Sequence, residues 1–169
     1  MSKIAAVPAS RKSNRPQIAI AGAGIGGLAL ALALHKYGFA PVLFEKKSAE
    51  QIRTEGVFLT LAPNGVNALR ALGLADAVVA GGLLTRGLAM FNERGKQLGL
   101  MDYGTHATRF GAPSVTIRRG TLGGVLLDAV AAAGIDLRCG VGIEEIEHGS
   151  DGVTVHSGRP ERFDALIGA

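Results

Sequence analysis

QIAIAGAGIGGLALALALHKYGFAPVLFE, residues 17–45, reads as strand, tight turn, helix and strand. Gln17 to Ala21 is a short apolar strand that runs straight into Gly22. Ile25 to Tyr37 is a helix rich in alanine and leucine, stopped by Gly38, and Ala40 to Phe44 is a second apolar strand ending on Glu45. The spacing predicts a βαβ unit whose sheet is built from Ile18, Ala19, Ile20, Val42, Leu43 and Phe44, covered by Leu28 and Leu32. The turn satisfies G-x-G-x-x-G through Gly22, Gly24 and Gly27, with Ile25 and Gly26 inside it. Glycine at the first place permits the turn, at the second lets the backbone approach a pyrophosphate, and at the third lets helix and strand pack closely. The helix start then offers free N–H groups and the positive end of its dipole to an anion. Glu45, 23 positions after Gly22, would accept hydrogen bonds from two ribose hydroxyls and repel a 2′-phosphate, which disfavours NADP at this place.

Beyond this unit the pattern changes. Lys46 to Leu61 reads as a loop with a short strand or helical turn at Val57 to Thr60. Val66, Leu69, Leu72 and Leu74 have the spacing of a short amphipathic helix ending at Gly73. Leu83 to Phe91 and Gln97 to Met101, joined by a turn at Asn92 to Lys96, predict an antiparallel hairpin inserted into the α/β pattern. Tyr103 to Ser114 reads as a loop, Val115 to Ile117 as an apolar stretch, and Thr121 to Ala133 as a helix stopped by Gly134. Ile135 to Arg138 is another strand, and Gly142 to Glu147 with Val153 to His156 a second hairpin. A final strand spans Phe163 to Ile167, and a strand so close to the last residue predicts an architecture incomplete at its carboxyl end.

A chain of 169 residues, 47% hydrophobic, can bury one sizeable core. Its 25 glycines carry no three-residue period, so collagen is excluded and turns are implied. The net charge of +4 sits in residues 1–16, which hold Lys3, Arg11, Lys12 and Arg15 without an acid; the remainder balances at 14 basic and 14 acidic residues. That leader reads as a flexible basic arm, and a neutral body argues against a nucleic-acid surface. The uncharged run Ile18 to Leu34 is interrupted by four glycines, so no membrane span is expected. A single cysteine, Cys139, excludes an internal disulfide and suggests a reducing, cytoplasmic setting. His35, His106, His148 and His156 show no ligand spacing along the chain, and no metal is assigned.

Four segments carry a family resemblance: IAIAGAGIGGLALALALHKYGFAPVLFEK at 18–46, EGVFLTLAPNGVNALRALGLAD at 55–76, VTIRRGTLGGVLLDAV at 115–130 and GVTVHSGRPERFDALIGA at 152–169. In order and spacing they resemble the class A, para-hydroxybenzoate hydroxylase-like flavoprotein monooxygenases, which include the salicylate hydroxylase-like enzymes. The resemblance implies a Rossmann-like FAD-binding α/β fold of the glutathione reductase type, with 17–169 as the amino-terminal part of the FAD-binding domain. It implies FAD contacts at Gly22, Gly24, Ile25, Gly26, Gly27, Glu45 and Lys46. Arg119 looks like the family arginine that reaches the cofactor, with Arg118 as an adjacent alternative. Arg53 and the Glu55 to Leu59 stretch, with Gly56 and Val57, resemble the loop facing the flavin, with backbone rather than side chains nearest the ring, and Ile143 a position whose backbone lies near the adenine.

The resemblance also implies NADPH or NADH as a transient electron donor, O2 and a small electron-rich molecule as reactants, and leaves a homodimer open for the full-length protein. No catalytic side chain is assigned, and the fragment alone is expected to be inactive because the family's Asp-Gly and later Gly-Asp segments are missing. Two other readings stand beside it. One is a different glutathione reductase-type flavoprotein, such as an amine oxidase, a geranylgeranyl reductase or a halogenase; the other is a truncated, noncatalytic nucleotide-binding domain. A plain NAD-binding domain would continue the strand–helix alternation that the two hairpins interrupt.

Overall fold

The computed structural model describes residues 15–169, so most of the basic leader lies outside the described residues. The chain opens with β1 (Gln17–Ala21), α1 (Ile25–Lys36) and β2 (Ala40–Glu45), the βαβ unit expected from the sequence. It continues through α2 (Ala49–Thr54), β3 (Phe58–Leu61), α3 (Pro63–Ala71), α4 (Ala75–Ala80), β4 (Leu83–Leu84), β5 (Gly87–Phe91) and β6 (Gln97–Asp102). The second half holds α5 (His106–Phe110), β7 (Val115–Arg118), α6 (Arg119–Ala132), β8 (Asp136–Cys139), β9 (Glu145–Gly149), β10 (Gly152–Ser157), β11 (Arg159–Phe163) and β12 (Ala165–Gly168).

The central sheet is parallel, in the order β12-β1-β2-β8. Alternation along its strands divides the interior in two, because successive side chains in a strand face opposite sides. Ile18, Ile20 and Leu43 face one way and join Leu28, Ala31, Leu122, Leu126 and Val130 in the larger apolar cluster under α1 and α6. Ala19, Val42 and Phe44 face the other way and pack against Val153, Val155 and Phe163 of the antiparallel sheet β11-β10-β9. Phe44 and Phe163 meet edge to face, with ring centroids 5.9 Å apart. A third sheet, β3-β7-β4, covers the larger cluster from the side through Val115 and Ile117, while β5 and β6 form a separate ribbon. The parallel core with antiparallel additions is a Rossmann-type α/β fold. Among the described residues, no helix is long and apolar enough to cross a membrane.

Four element assignments need correction. The span Leu83 to Phe91 is not one strand: Leu83 and Leu84 pair with β7, whereas Gly87 onward pairs with β6. Both halves are apolar, so periodicity does not reveal that the partner changes between them. The loop expected at Tyr103 to Ser114 contains α5, where Tyr103 stacks on His106 and His106 meets Phe110 edge-on. The last strand is divided at Asp164, whose amide donates to the Gln17 carbonyl at 2.9 Å while its Oδ2 accepts the Gln17 amide at 2.6 Å, and there the chain moves from the antiparallel sheet onto the edge of β1. Finally, α2 occupies part of the predicted loop. Its signal was Ser48 followed three residues later by Gln51, which form a reciprocal capping box.

Candidate functional site

The carboxyl ends of β1 and β2 open into a cleft of about 520 Å³, the place where ligands enter doubly wound sheets. One wall is the glycine turn. Gly22 has φ of +111° and donates its amide to the Phe44 carbonyl at 2.8 Å, and a Cβ there would lie 2.1 Å from the Ala169 carbonyl oxygen. At Gly27 a Cβ would lie 2.0 Å from the Gly22 carbonyl oxygen, so α1 approaches β1 only because this position has no side chain. Gly24 differs: a Cβ built on it meets nothing within 4 Å, because the residue borders the cleft. As the N-cap of α1 it brings no side chain to the first-turn amides. The cleft therefore faces a bare helix start with a favourable potential for anions.

Glu45 forms the floor at the end of β2. Its Oε2 accepts the Ala23 amide at 2.7 Å and its Oε1 accepts the Lys47 amide at 2.8 Å. The carboxylate thus ties the glycine turn to the strand end, and each oxygen keeps further acceptor capacity. Behind it, Val141 donates its amide to the Glu45 carbonyl and Gly140 to that of Lys47, which sets residues 140–143 beside the strand end. Ile143 packs against the smaller apolar cluster next to this segment.

The opposite wall comes from α2 and the start of α6. Arg119 borders the cleft, its amide donating to the Val57 carbonyl at 2.9 Å and its side chain lying against Gly56. Gly56 has φ of +97°, and a Cβ on it would meet Arg119 Cδ at 3.0 Å. Arg118 instead lies in β7 across from Phe58 and does not border the cleft, so the geometry separates the two adjacent arginines.

The cleft thus brings together Gly24, Ile25, Glu45, Lys46, Gly56 and Arg119, with Gly22 and Gly27 shaping the turn behind them. Gly26, Arg53, Val57 and Ile143 do not line it. Arg53 turns back onto α6, where its Nη2 meets Asp128 Oδ1 at 2.5 Å; this guanidinium holds the Asp128 carboxyl below its ordinary range. Glu55, from the stretch expected to face the flavin, also borders the cleft, and sequence reasoning missed Lys47, Gln51, Ile52 and Gly123, which border it too. Lys47 and Glu55 form an ion pair that draws the two ends of α2 together, and the Lys47 hydrogen bond lowers the Glu55 pKa. The capping box at Ser48 was the available signal for this wall.

The sequence profile of the FAD binding domain family matches residues 15–162. The chain is 36% identical over 154 residues to an aurachin C monooxygenase/isomerase of Stigmatella aurantiaca, covering 90% of this chain and 39% of that protein. It is 39% identical over 167 residues to the phenazine 1,6-dicarboxylic acid hydroxylase PhzS of Lysobacter antibioticus, covering 93% and 40% respectively. Among solved structures, the tetrameric form of 2-methyl-3-hydroxypyridine-5-carboxylic acid oxygenase superposes with a TM-score of 0.77 at 25% identity, covering 93% of this chain and 40% of that one. The chain therefore spans about two fifths of the length of these relatives.

Proposed function

The chain belongs to the FAD binding domain family and to the class A flavoprotein monooxygenases, and from that premise we propose that it holds FAD in the cleft beside Gly24 on behalf of a monooxygenase acting on a small aromatic or other electron-rich molecule. The observation that carries this reading is the chemistry of the cleft walls. A bare helix start, a carboxylate with spare acceptors and a guanidinium face one open space. These suit, in turn, a pyrophosphate, the hydroxyls of a ribose and the remaining negative charge of a dinucleotide. Glu45 would hold the adenosine ribose, Gly24 to Gly27 the pyrophosphate, and Arg119 its outer oxygens, with Gly56 and Val57 offering backbone at the far end. Lys46 would stand at the mouth, and the backbone at Ile143 beside the adenine. Arg53 would take part only by leaving Asp128.

When bound, FAD supplies the redox chemistry, in which NADH or NADPH is the electron donor and one oxygen atom of O2 goes to the substrate while the other leaves as water. The residues described here bind and orient; none is assigned a proton transfer. NAD(P)H as donor and a homodimer rest on the family resemblance alone, and a cytoplasmic location on the single cysteine, Cys139.

The test is FAD binding by the 169-residue chain, followed by quenching of flavin fluorescence, with Gly24→Val as the partner variant. Saturable quenching is expected for the parent chain. A weakening of at least tenfold is expected for Gly24→Val, with an unchanged circular dichroism spectrum, because the added side chain enters open cleft space rather than the core. Undiminished affinity in a folded Gly24→Val chain, or no binding by the folded parent, sinks the assignment of this cleft.

A further inference from the structure

The antiparallel sheet on the far side of the molecule carries a cluster that the nucleotide cleft does not use. In the β9–β10 pairing, His156 stands directly across from Glu145, and Thr154 across from Glu147. Because side chains alternate along a strand, Glu145, Glu147, Thr154 and His156 share one face, opposite the face on which Val153 and Val155 are buried. His156 Nε2 lies 3.0 Å from Glu147 Oε1, and one ligand atom from each of Glu145, Glu147 and His156 falls within 4.8 Å of the others. The carboxylate of Glu145 has no hydrogen bond or ion pair to another described residue. The neighbouring strand adds no competing cation: Pro160 lies across from His156, and Arg162, across from Thr154, is committed to Asp151 at 2.5 Å.

We propose that Glu145, Glu147 and His156 form a binding site for a divalent transition-metal ion of the zinc class, which clips β9 to β10 from outside. Two carboxylates directed at one imidazole make an excess of negative charge that a single histidine cannot neutralise, whereas a dication can. Imidazole nitrogen with carboxylate oxygen is a donor set that suits zinc, and three protein ligands leave a fourth position for water. Zinc bonds of about 2.0–2.2 Å require ligand atoms nearer together than the present 4.8 Å limit, a closure that rotamer changes of the two exposed glutamates can supply. The linear spacing of the histidines gave no ligand pattern because the grouping arises from hairpin register, with two residues two apart on one strand and one facing them on the other. On its inner face the same hairpin packs Val153 and Val155 against Phe44 and beside Ile143, so the clip would stiffen the sheet behind the β2 strand end.

The experiment is a calorimetric titration of the 169-residue chain with ZnCl2, with a thermal-unfolding series at rising zinc concentration as a second readout. Neither needs flavin, so their failure is distinct from failure of the FAD reading. One saturable site with a dissociation constant below about 1 mM is expected, with a rise in melting temperature as zinc accumulates on the folded state. His156→Gln and Glu147→Gln are each expected to weaken it at least tenfold, Glu145→Gln measurably, and Cys139→Ser not at all. The substituted side chains lie on the sheet surface, so circular dichroism should remain unchanged. No saturable site, binding that survives His156→Gln, or binding indifferent to both glutamate variants overturns the proposal.

Discussion

At the scale of the residue, the four glycines between 22 and 27 perform different work that the motif alone does not distinguish. Gly22 adopts a left-handed conformation, Gly27 is pressed against the Gly22 carbonyl, Gly24 borders open space, and at Gly26 an added Cβ meets nothing within 4 Å. Gly27→Ala is therefore expected to destabilise the apo chain by about 1–3 kcal/mol through overpacking, whereas Gly26→Ala should stabilise it by about 0.5–1 kcal/mol by lowering the entropy lost on forming the helix. Urea unfolding of the two variants measures both, and equal effects would mean the turn is looser than it looks. The fingerprint and the acidic strand end at Glu45 were legible because their spacing is local. The choice between Arg118 and Arg119 was not, since it depends on where β7 ends and α6 begins; there Arg119 turns into the cleft beside Gly56. Likewise the side chain of Arg53 reads as a ligand contact in sequence, yet its nearest acid, Asp128, is 75 residues away.

At the scale of the element, α2 and α6 meet across glycine. A Cβ at Gly120 would lie 2.2 Å from the Arg53 carbonyl oxygen, and one at Gly123 would lie 3.0 Å from the Ile52 carbonyl oxygen. Their absence lets the six-residue α2 lie close enough to α6 to form the wall opposite Glu45. Gly120→Ala should push α2 outward, costing about 1–3 kcal/mol and accelerating amide exchange in Ala49–Thr54 before that in α1. Exchange that speeds equally in both helices would show a global rather than local effect. The sequence announced α1, α3 and α6 through caps, glycine stops or apolar spacing, and it announced the strands of the central sheet as apolar runs. It was less informative where a strand changes partner, as at Thr85–Arg86 and Asp164, because pairing is decided by residues far away in the chain.

At the scale of the whole molecule, the two apolar clusters leave β5 and β6 outside. Leu88, Met90, Phe91, Leu98 and Leu100 on this ribbon are each 46–66% exposed. A two-stranded ribbon with open edges and so much apolar surface favours association. Sedimentation velocity is expected to show concentration-dependent self-association of the chain, reduced by the double substitution Leu98→Lys with Leu100→Lys; association unchanged by it would locate the sticky surface elsewhere. The order of the central sheet bears on how the molecule is made. β1 lies between β2 and β12, and its register with β12 joins Ile18 to Ala165 and Ala21 to Gly168. During synthesis the amino-terminal βαβ unit leaves the ribosome early, but one edge of β1 stays open until residues 165–168 have emerged. Long-range pairing of this kind is slow to form, and an unpaired edge is exposed to aggregation while it waits. The nucleotide turn, legible within some thirty residues of sequence, thus gains the strand on the far side of β1 only after more than a hundred further residues have been made.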